Sequence, residues 1–310
     1  MRVLAAPASL KGVLGALDAA AALAAGVREA GGEATELPVA DGGDGTLAVL
    51  NAALGGDWKE AEVVDAFGRP RTARWLLLLD GTVAVESVQA IPRDPDRLDP
   101  LAASSEGLGQ LIRAVGSPPA LLVGLGGTAN VDGGRGLRGV LDALPAPTRV
   151  LCDVDVPLLD AARLFAAQKG ASPEQARELE ARLAEDEELA PFALLPGAGA
   201  AGGLGAALAA LGAELVSGAE FVLSAVGFDP TGCNVVVTGE GAVDATTLRG
   251  KAPGAVARRC AVAGVRCVVF GGRVDVTVPG AETVELSGDP TRAHDDLREL
   301  GARIAGSVGD

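Results

Sequence analysis

Arg2-Val3-Leu4-Ala5-Ala6, followed by Pro7-Ala8-Ser9-Leu10-Lys11-Gly12-Val13, decides the fold class once the residues after it are read as well. A short apolar run closed by proline has the length of a buried strand. Residues 7–13 then read as a turn, 14–30 as an amphipathic helix and 34–39 as a second strand, which makes one β-α-β unit. The far end repeats this grammar, with strands at 235–238, 265–270 and 283–286, a helix at 252–263 and a closing helix at 291–307. Strands alternating with helices imply a parallel sheet covered on both faces, with ligands at the carboxyl ends of its strands.

The middle reads differently. Residues 63–64, then 73–79, Asp80-Gly81 and 82–86, have the form of extended segments with an Asp-Gly hairpin turn, which favours antiparallel pairing. Further strands are expected at 121–124 and 149–153, and a charged helix near 174–189. The fold class is therefore α/β: a flavodoxin-like parallel-sheet domain built from both chain ends (1–43 and 226–310), with a mixed α/β domain inserted between them (44–225). A chain of 310 residues exceeds the usual size of a single core, which agrees with two domains.

Bulk chemistry removes several function classes. A net charge of −15 repels a phosphate backbone, and no basic stripe with interleaved aromatics occurs, so a nucleic-acid partner is not expected. The amino-terminal residues carry no signal-like pattern, and the Ala/Leu runs are broken by Gly and Arg before they reach a bilayer's width. A soluble, cytoplasmic protein with no membrane partner is expected, and self-association into a homo-oligomer is left open. The four cysteines form no C-x-x-C pair, and the single histidine, His294, removes Ser-His-Asp hydrolysis and multi-histidine metal sites.

Five loops combine glycine with acid, hydroxyl or lysine: 7–12; Pro38-Val39-Ala40-Asp41-Gly42-Gly43-Asp44-Gly45-Thr46; 124–134, containing Gly126-Gly127-Thr128-Ala129-Asn130-Val131-Asp132; Cys152-Asp153-Val154-Asp155; and 238–251, containing Glu240 and Lys251. Glycine lets backbone N–H groups approach an anion, and carboxylates in such loops can hold Mg²⁺ or take a hydroxyl proton. Only four of the 26 basic residues are lysine, and Lys11, Lys169 and Lys251 each adjoin a glycine. This inventory suits phosphoryl transfer, which depends on positioning and charge neutralisation. Gly250-Lys251 is not a Walker loop, because Ala252 stands where Ser or Thr would bind magnesium. Gly197-Ala198-Gly199-Ala200-Ala201-Gly202 fits the dinucleotide pattern, with Glu220 at about the right distance, and supports a competing reading as an NAD-dependent oxidoreductase.

At these loops the chain closely resembles the type-1 glycerate kinases, in matching order through nearly its whole length: at 7–12, 38–46, 124–134, 152–158, 168–171, 196–203 and 238–251. The resemblance implies two domains, ATP and Mg²⁺ as co-substrates, D-glycerate as acceptor and 2-phosphoglycerate as the usual product. It also returns Gly197–Gly202 to a family loop without a dinucleotide role. Under it, Asp41 is the first candidate for the base that orients the acceptor hydroxyl. Lys11 and Lys251 are candidates to neutralise phosphates or the glycerate carboxylate, and Asp132 is a further catalytic candidate. Gly126, Gly127, Thr128 and Ser9 join Lys251 as nucleotide-binding candidates, and Asp153 and Glu240 are the candidates for magnesium. The chain departs from the family pattern at Ala8 (Asp in the family), Asn130-Val131 (Thr-Asn), Val156 (Asn) and Thr246 (Gln), and it is shortened after Gln89 and Leu141. Three of these changes remove a polar group, which leaves a weakened or altered activity as a second alternative.

Overall fold

A computed structural model describes residues 1–306. Ser307, the last residue of the expected closing helix, lies outside them, as does the end of the expected 226–310 segment. Among the described residues the strands are, in chain order, β1 (Arg2–Ala5), β2 (Glu33–Glu36), β3 (Gly56–Val64), β4 (Pro70–Leu78), β5 (Val83–Glu86), β6 (Leu121–Leu125), β7 (Thr148–Cys152), β8 (Glu214–Ser217), β9 (Val235–Val243), β10 (Arg266–Val274) and β11 (Glu282–Glu285). They form two sheets, ordered β11-β10-β9-β1-β2 and β3-β4-β5-β6-β7-β8. The chain divides into two compact units. The first holds Met1–Asp41, Ala48–Ala53 and the residues from Ala219 onward, and the second holds Gly42–Leu47 and Leu54–Gly218.

In the first unit every strand pairing is parallel, so strands from both chain ends share one sheet: Val3 stands opposite both Ala34 and Val235. Numbered within this sheet, the order is the 2-1-3-4-5 of flavodoxin-like folds, in which the strand order reverses between the first and third strands. That switch point lies here between β1 and β9. The three central strands β10, β9 and β1 are mainly apolar on both sides because helices cover both faces, whereas the edge strands β2 and β11 are polar and largely exposed. Val3, Ala5, Val235, Val237, Val268 and Phe270 pack with Leu23, Leu297 and Leu300 from helices Ala16–Glu29 and Ala293–Gly306. The alternate residues Leu4, Val236, Cys267 and Val269 pack with Val256 and Cys260 of helix Ala252–Ala263. Glycine sets the spacing of the first helix pair: a Cβ on Gly26 would lie 1.8 Å from the Arg298 carbonyl oxygen, and one on Gly301 would lie 2.2 Å from that of Leu23.

β9 and β10 run several residues past their expected ends. Their ladder continues through Gly271↔Glu240, Arg273↔Ala242 and Val274↔Val243, so Glu240 sits on a strand and not in a loop. The misreading has a physical cause. Gly239 looks like a loop residue, yet it is needed inside the sheet, since a Cβ there would meet the Phe270 carbonyl oxygen at 2.2 Å.

The second unit has the expected hairpin of β4 and β5, with β3 antiparallel alongside. From β5 to β8 its pairings are parallel. Val83, Val85, Leu121, Val123 and Val150 line a core closed by Leu108, Leu111, Ile112, Leu204 and Leu208. The charged helix is Pro173–Ala184 and starts in a capping box between Ser172 and Gln175. It stops short of the expected end, and Arg138 binds Asp186 and Glu188 from the residues beyond it.

Candidate active site

At the carboxyl ends of β1 and β9 the first unit gathers charge. Glu240 is buried; its Oε2 is 2.8 Å from Lys251 Nζ, and its Oε1 accepts a 2.7 Å hydrogen bond from Thr247 Oγ1. Lys251 is placed by helix Ala252–Ala263, where it is the N-cap residue ahead of Pro253. Asp244 N–H donates to Thr247 Oγ1, and the Asp244 carboxylate accepts from the Thr246 amide and hydroxyl, so this turn is fixed by its own side chains. Burial pushes the Glu240 carboxyl upward; Lys251 and Thr247 pull it down, and Asp41 adds to the rise. Burial also pulls Lys251 down, but the Glu240, Asp244 and Asp41 carboxylates outweigh it, and its ammonium titrates above the usual lysine range. Asp41 is thus within electrostatic reach of both partners.

Lys11 lies on the exposed tip of a tight turn closed by reciprocal backbone bonds between Leu10 and Leu14. Gly12, at φ +75°, supplies the left-handed residue that the turn requires. Ser9 is half-buried just before it, and the Ala8 N–H donates to the Gly239 carbonyl at 2.9 Å.

The second unit holds a separate polar centre. Gly126 N–H donates to Ser87 Oγ, and a Cβ on Gly126 would lie 3.1 Å from Asp153 Oδ2, so the Asp153 carboxylate borders the glycine loop. Gly127, at φ +67°, turns the chain into Thr128. Lys169 is buried beneath, donating to Thr128 Oγ1 at 3.3 Å and to the Asn130 carbonyl at 2.6 Å. Asp132 accepts from five donors: the Ser105 amide and hydroxyl, Asn130 Nδ2, and the amides of Gly134 and Gly136. This carboxylate ties two loops together and leaves little acceptor capacity for a substrate proton.

Glu240 and Lys251 come together, with Asp41 in electrostatic reach of both, and Gly126, Gly127, Thr128 and Asp153 come together in the second unit. The residues that sequence reasoning overlooked are Thr247 and Glu86. Glu86 ends β5, is 2 % exposed, and accepts from the Leu47 amide at 2.8 Å. Burial and the Asp44 charge push its carboxyl up to about 7 against the pull of the Leu47 and Thr46 amides and Gln89. The proton on a carboxyl raised this way stabilises the fold below the unfolded value near 4.5, and that contribution is lost as pH rises towards 7. Glu86→Gln, which keeps an acceptor for Leu47, should raise stability at pH 8 by at most about 3 kcal/mol. It should also flatten the fall between pH 5 and 7 in denaturant titrations. An unchanged pH slope would show that Glu86 is ionised throughout.

Three of the departures from the family pattern take structural positions. Ala8 and Val131 are buried in apolar clusters, and Thr246 fixes Asp244. The G-x-G-x-x-G stretch is packed by protein. A Cβ on Gly199 would meet the Pro157 carbonyl oxygen at 2.4 Å, and one on Gly202 would meet that of Asn130 at 2.2 Å. These glycines admit neighbouring backbone, and the segment follows the 3₁₀ turn Ala190–Phe192 in place of a strand. The dinucleotide reading loses its basis. Among the described residues no helix is long and apolar enough to cross a membrane.

Comparison with known proteins agrees. The chain is 35% identical over 311 positions to glycerate 2-kinase of Escherichia coli (strain K12), covering 83% of this chain and 81% of that one. It is 34% identical over 312 positions to glycerate kinase of Bacillus subtilis (strain 168), with the same coverage of each. A solved structure named as a glycerate kinase 2 from Salmonella typhimurium LT2 superposes with a TM-score of 0.80 at 28% identity, covering 99% of this chain and 98% of that one. The sequence model of the glycerate kinase family matches residues 3–148 and 142–288, and with these relatives it establishes that the chain belongs to the glycerate kinase family.

Proposed function

We propose that this chain is an ATP-dependent glycerate kinase, a phosphotransferase with an alcohol group as acceptor, that converts D-glycerate to 2-phosphoglycerate. The observation that carries this reading is the buried Glu240–Lys251 pair at the switch point of a parallel sheet, where open α/β sheets bind ligands, with the Asp41 charge acting on both partners. The 2-position follows the name of the Escherichia coli relative.

In this reading Asp41 orients the acceptor hydroxyl and takes its proton as the new O–P bond forms and the bond to the ADP oxygen breaks. Lys251, held by Glu240, and Lys11, exposed at its turn tip, offset the charge on the phosphoryl oxygens. Ser9 donates to the same groups. Gly126, Gly127 and Thr128 are assigned to a substrate anion through their loop. Asp132 is assigned to positioning that loop, in place of the catalytic role its sequence neighbourhood pointed to.

Magnesium enters with the nucleotide. Among the described residues no three acidic, His or Cys side chains cluster to hold a metal, which suits an ion held by one or two carboxylates and substrate phosphates. Of the two candidates, Asp153 beside Gly126 is assigned that part, and Glu240 the holding of Lys251. The ion would supply charge neutralisation.

The experiment that tests this reading is phosphorus NMR of the product formed from ATP, Mg²⁺ and D-glycerate. A 2-phosphoglycerate resonance is expected, and 3-phosphoglycerate would overturn the position assigned. Lys11→Ala should reduce kcat/KM about 100-fold and change stability by no more than about 1 kcal/mol, because Lys11 is exposed and outside the core. Near-normal turnover would transfer its role to Lys251.

A further inference from the structure

The cation cluster lies next to a cavity that it does not use. At the carboxyl ends of β9, β10 and β11 a pocket of about 200 Å³ is lined by Leu10, Val13, Leu286, Pro290 and Ala293, with Gly241, Gly272 and Gly288 among its other residues. We infer that this pocket receives the purine base of the phosphoryl donor, with the polyphosphate directed towards Lys11 and Lys251. The inference rests on the phosphoryl-transfer reading above.

Three observations support it. The first is chemical: of the charged lining residues, Arg273 is paired with Asp275, and Asp296 is engaged by Ser287 and Arg292, so the remaining wall is mainly aliphatic and suits the apolar faces of a flat heteroaromatic ring better than a compact polyhydroxy acid. The second concerns Gly241. Gly288 has φ +72°, and a Cβ on Gly272 would lie 3.0 Å from the Gly241 carbonyl oxygen, so the fold itself accounts for those two glycines. Gly241 has no such reason, since its φ is not positive and its Cβ would meet nothing nearer than Lys11 N at 3.6 Å. A side chain there would occupy cavity space, and a bound ring explains its absence. The third is continuity. Gly241 directly follows Glu240, which holds Lys251, and Leu10 and Val13 bracket Lys11, so pocket and cations are built from the same two chain segments. At the pocket's rim, Asp289 Oδ1 accepts from the Thr291 amide and hydroxyl, which leaves Oδ2 as an acceptor for ribose hydroxyls.

The test compares ADP with inorganic tripolyphosphate by calorimetry, using the full chain. Gly241→Val and Val13→Trp fill the pocket from two sides, and Val13 is exposed, so at least one of them should fold as the parent does. Each folded variant should weaken ADP binding at least tenfold, while tripolyphosphate affinity and the KM for D-glycerate change less than twofold. Parental ADP affinity in folded variants would overturn the inference, as would equal losses for ADP and tripolyphosphate. Selective ADP loss without any glycerate turnover in the parent would uphold the base site and remove only the kinase reading.

Discussion

Asp41→Asn should lower kcat about 1,000-fold while leaving the fold intact, the largest effect expected of any single substitution in this chain. Asparagine preserves the shape of the side chain but cannot accept the acceptor's proton. Asp41 is half-buried, so the substitution removes a charge without opening a cavity. It also removes one of the carboxylates that raise Lys251, whose ammonium should titrate slightly lower in the variant. Turnover and the thermal midpoint should be measured on one preparation. A kcat within tenfold of the parent would show that Asp41 is not the base.

Lys251→Met should be damaging in two separable ways. Turnover should fall at least about 100-fold through loss of the cation. Stability at neutral pH should fall by about 3 kcal/mol, because Glu240 remains buried without its partner. Its carboxyl is already raised by burial, and without Lys251 it rises further. A raised carboxyl stabilises the fold while protonated and loses that contribution as pH increases, so the stability deficit should shrink as pH falls towards the unfolded value near 4.5 and grow as pH rises. Adding Glu240→Gln should restore most of the stability and none of the turnover. Full recovery of activity in the double variant would show that the pair is only a structural clamp.

The frame of the first unit was legible in the sequence because its three central strands open on short apolar runs flanked by turn residues, and the edge strands follow from their alternation with helices. The alternation Val3, Ala5 against Leu4 is the alternation of its two covered faces. Helix Thr46–Leu54 was not legible: its Thr-Leu-Ala-Val-Leu-Asn-Ala-Ala-Leu run is almost wholly apolar, so no polar face marks a helical period. β8 escaped notice for a related reason, since Glu214–Ser217 is four residues long and only partly buried.

At the site, residue types could be read but partners could not. Glu240 and Lys251 stood out by their glycine neighbours, and their 2.8 Å contact spans only eleven positions. Glu86 and Leu47 are 39 positions apart, and the Asp132 contact with Ser105 spans 27. Such pairings follow from which strands become neighbours in the sheet, and no local spacing announces them.

The account is tested most directly by ADP release from purified protein given ATP, Mg²⁺ and D-glycerate, with the Asp41→Asn variant in parallel. It predicts glycerate-dependent ADP in one-to-one ratio with phosphoglycerate, largely abolished in the variant. ADP formation no faster with glycerate than without it, or reduction of NAD⁺ by a hydroxy acid in its place, would contradict it.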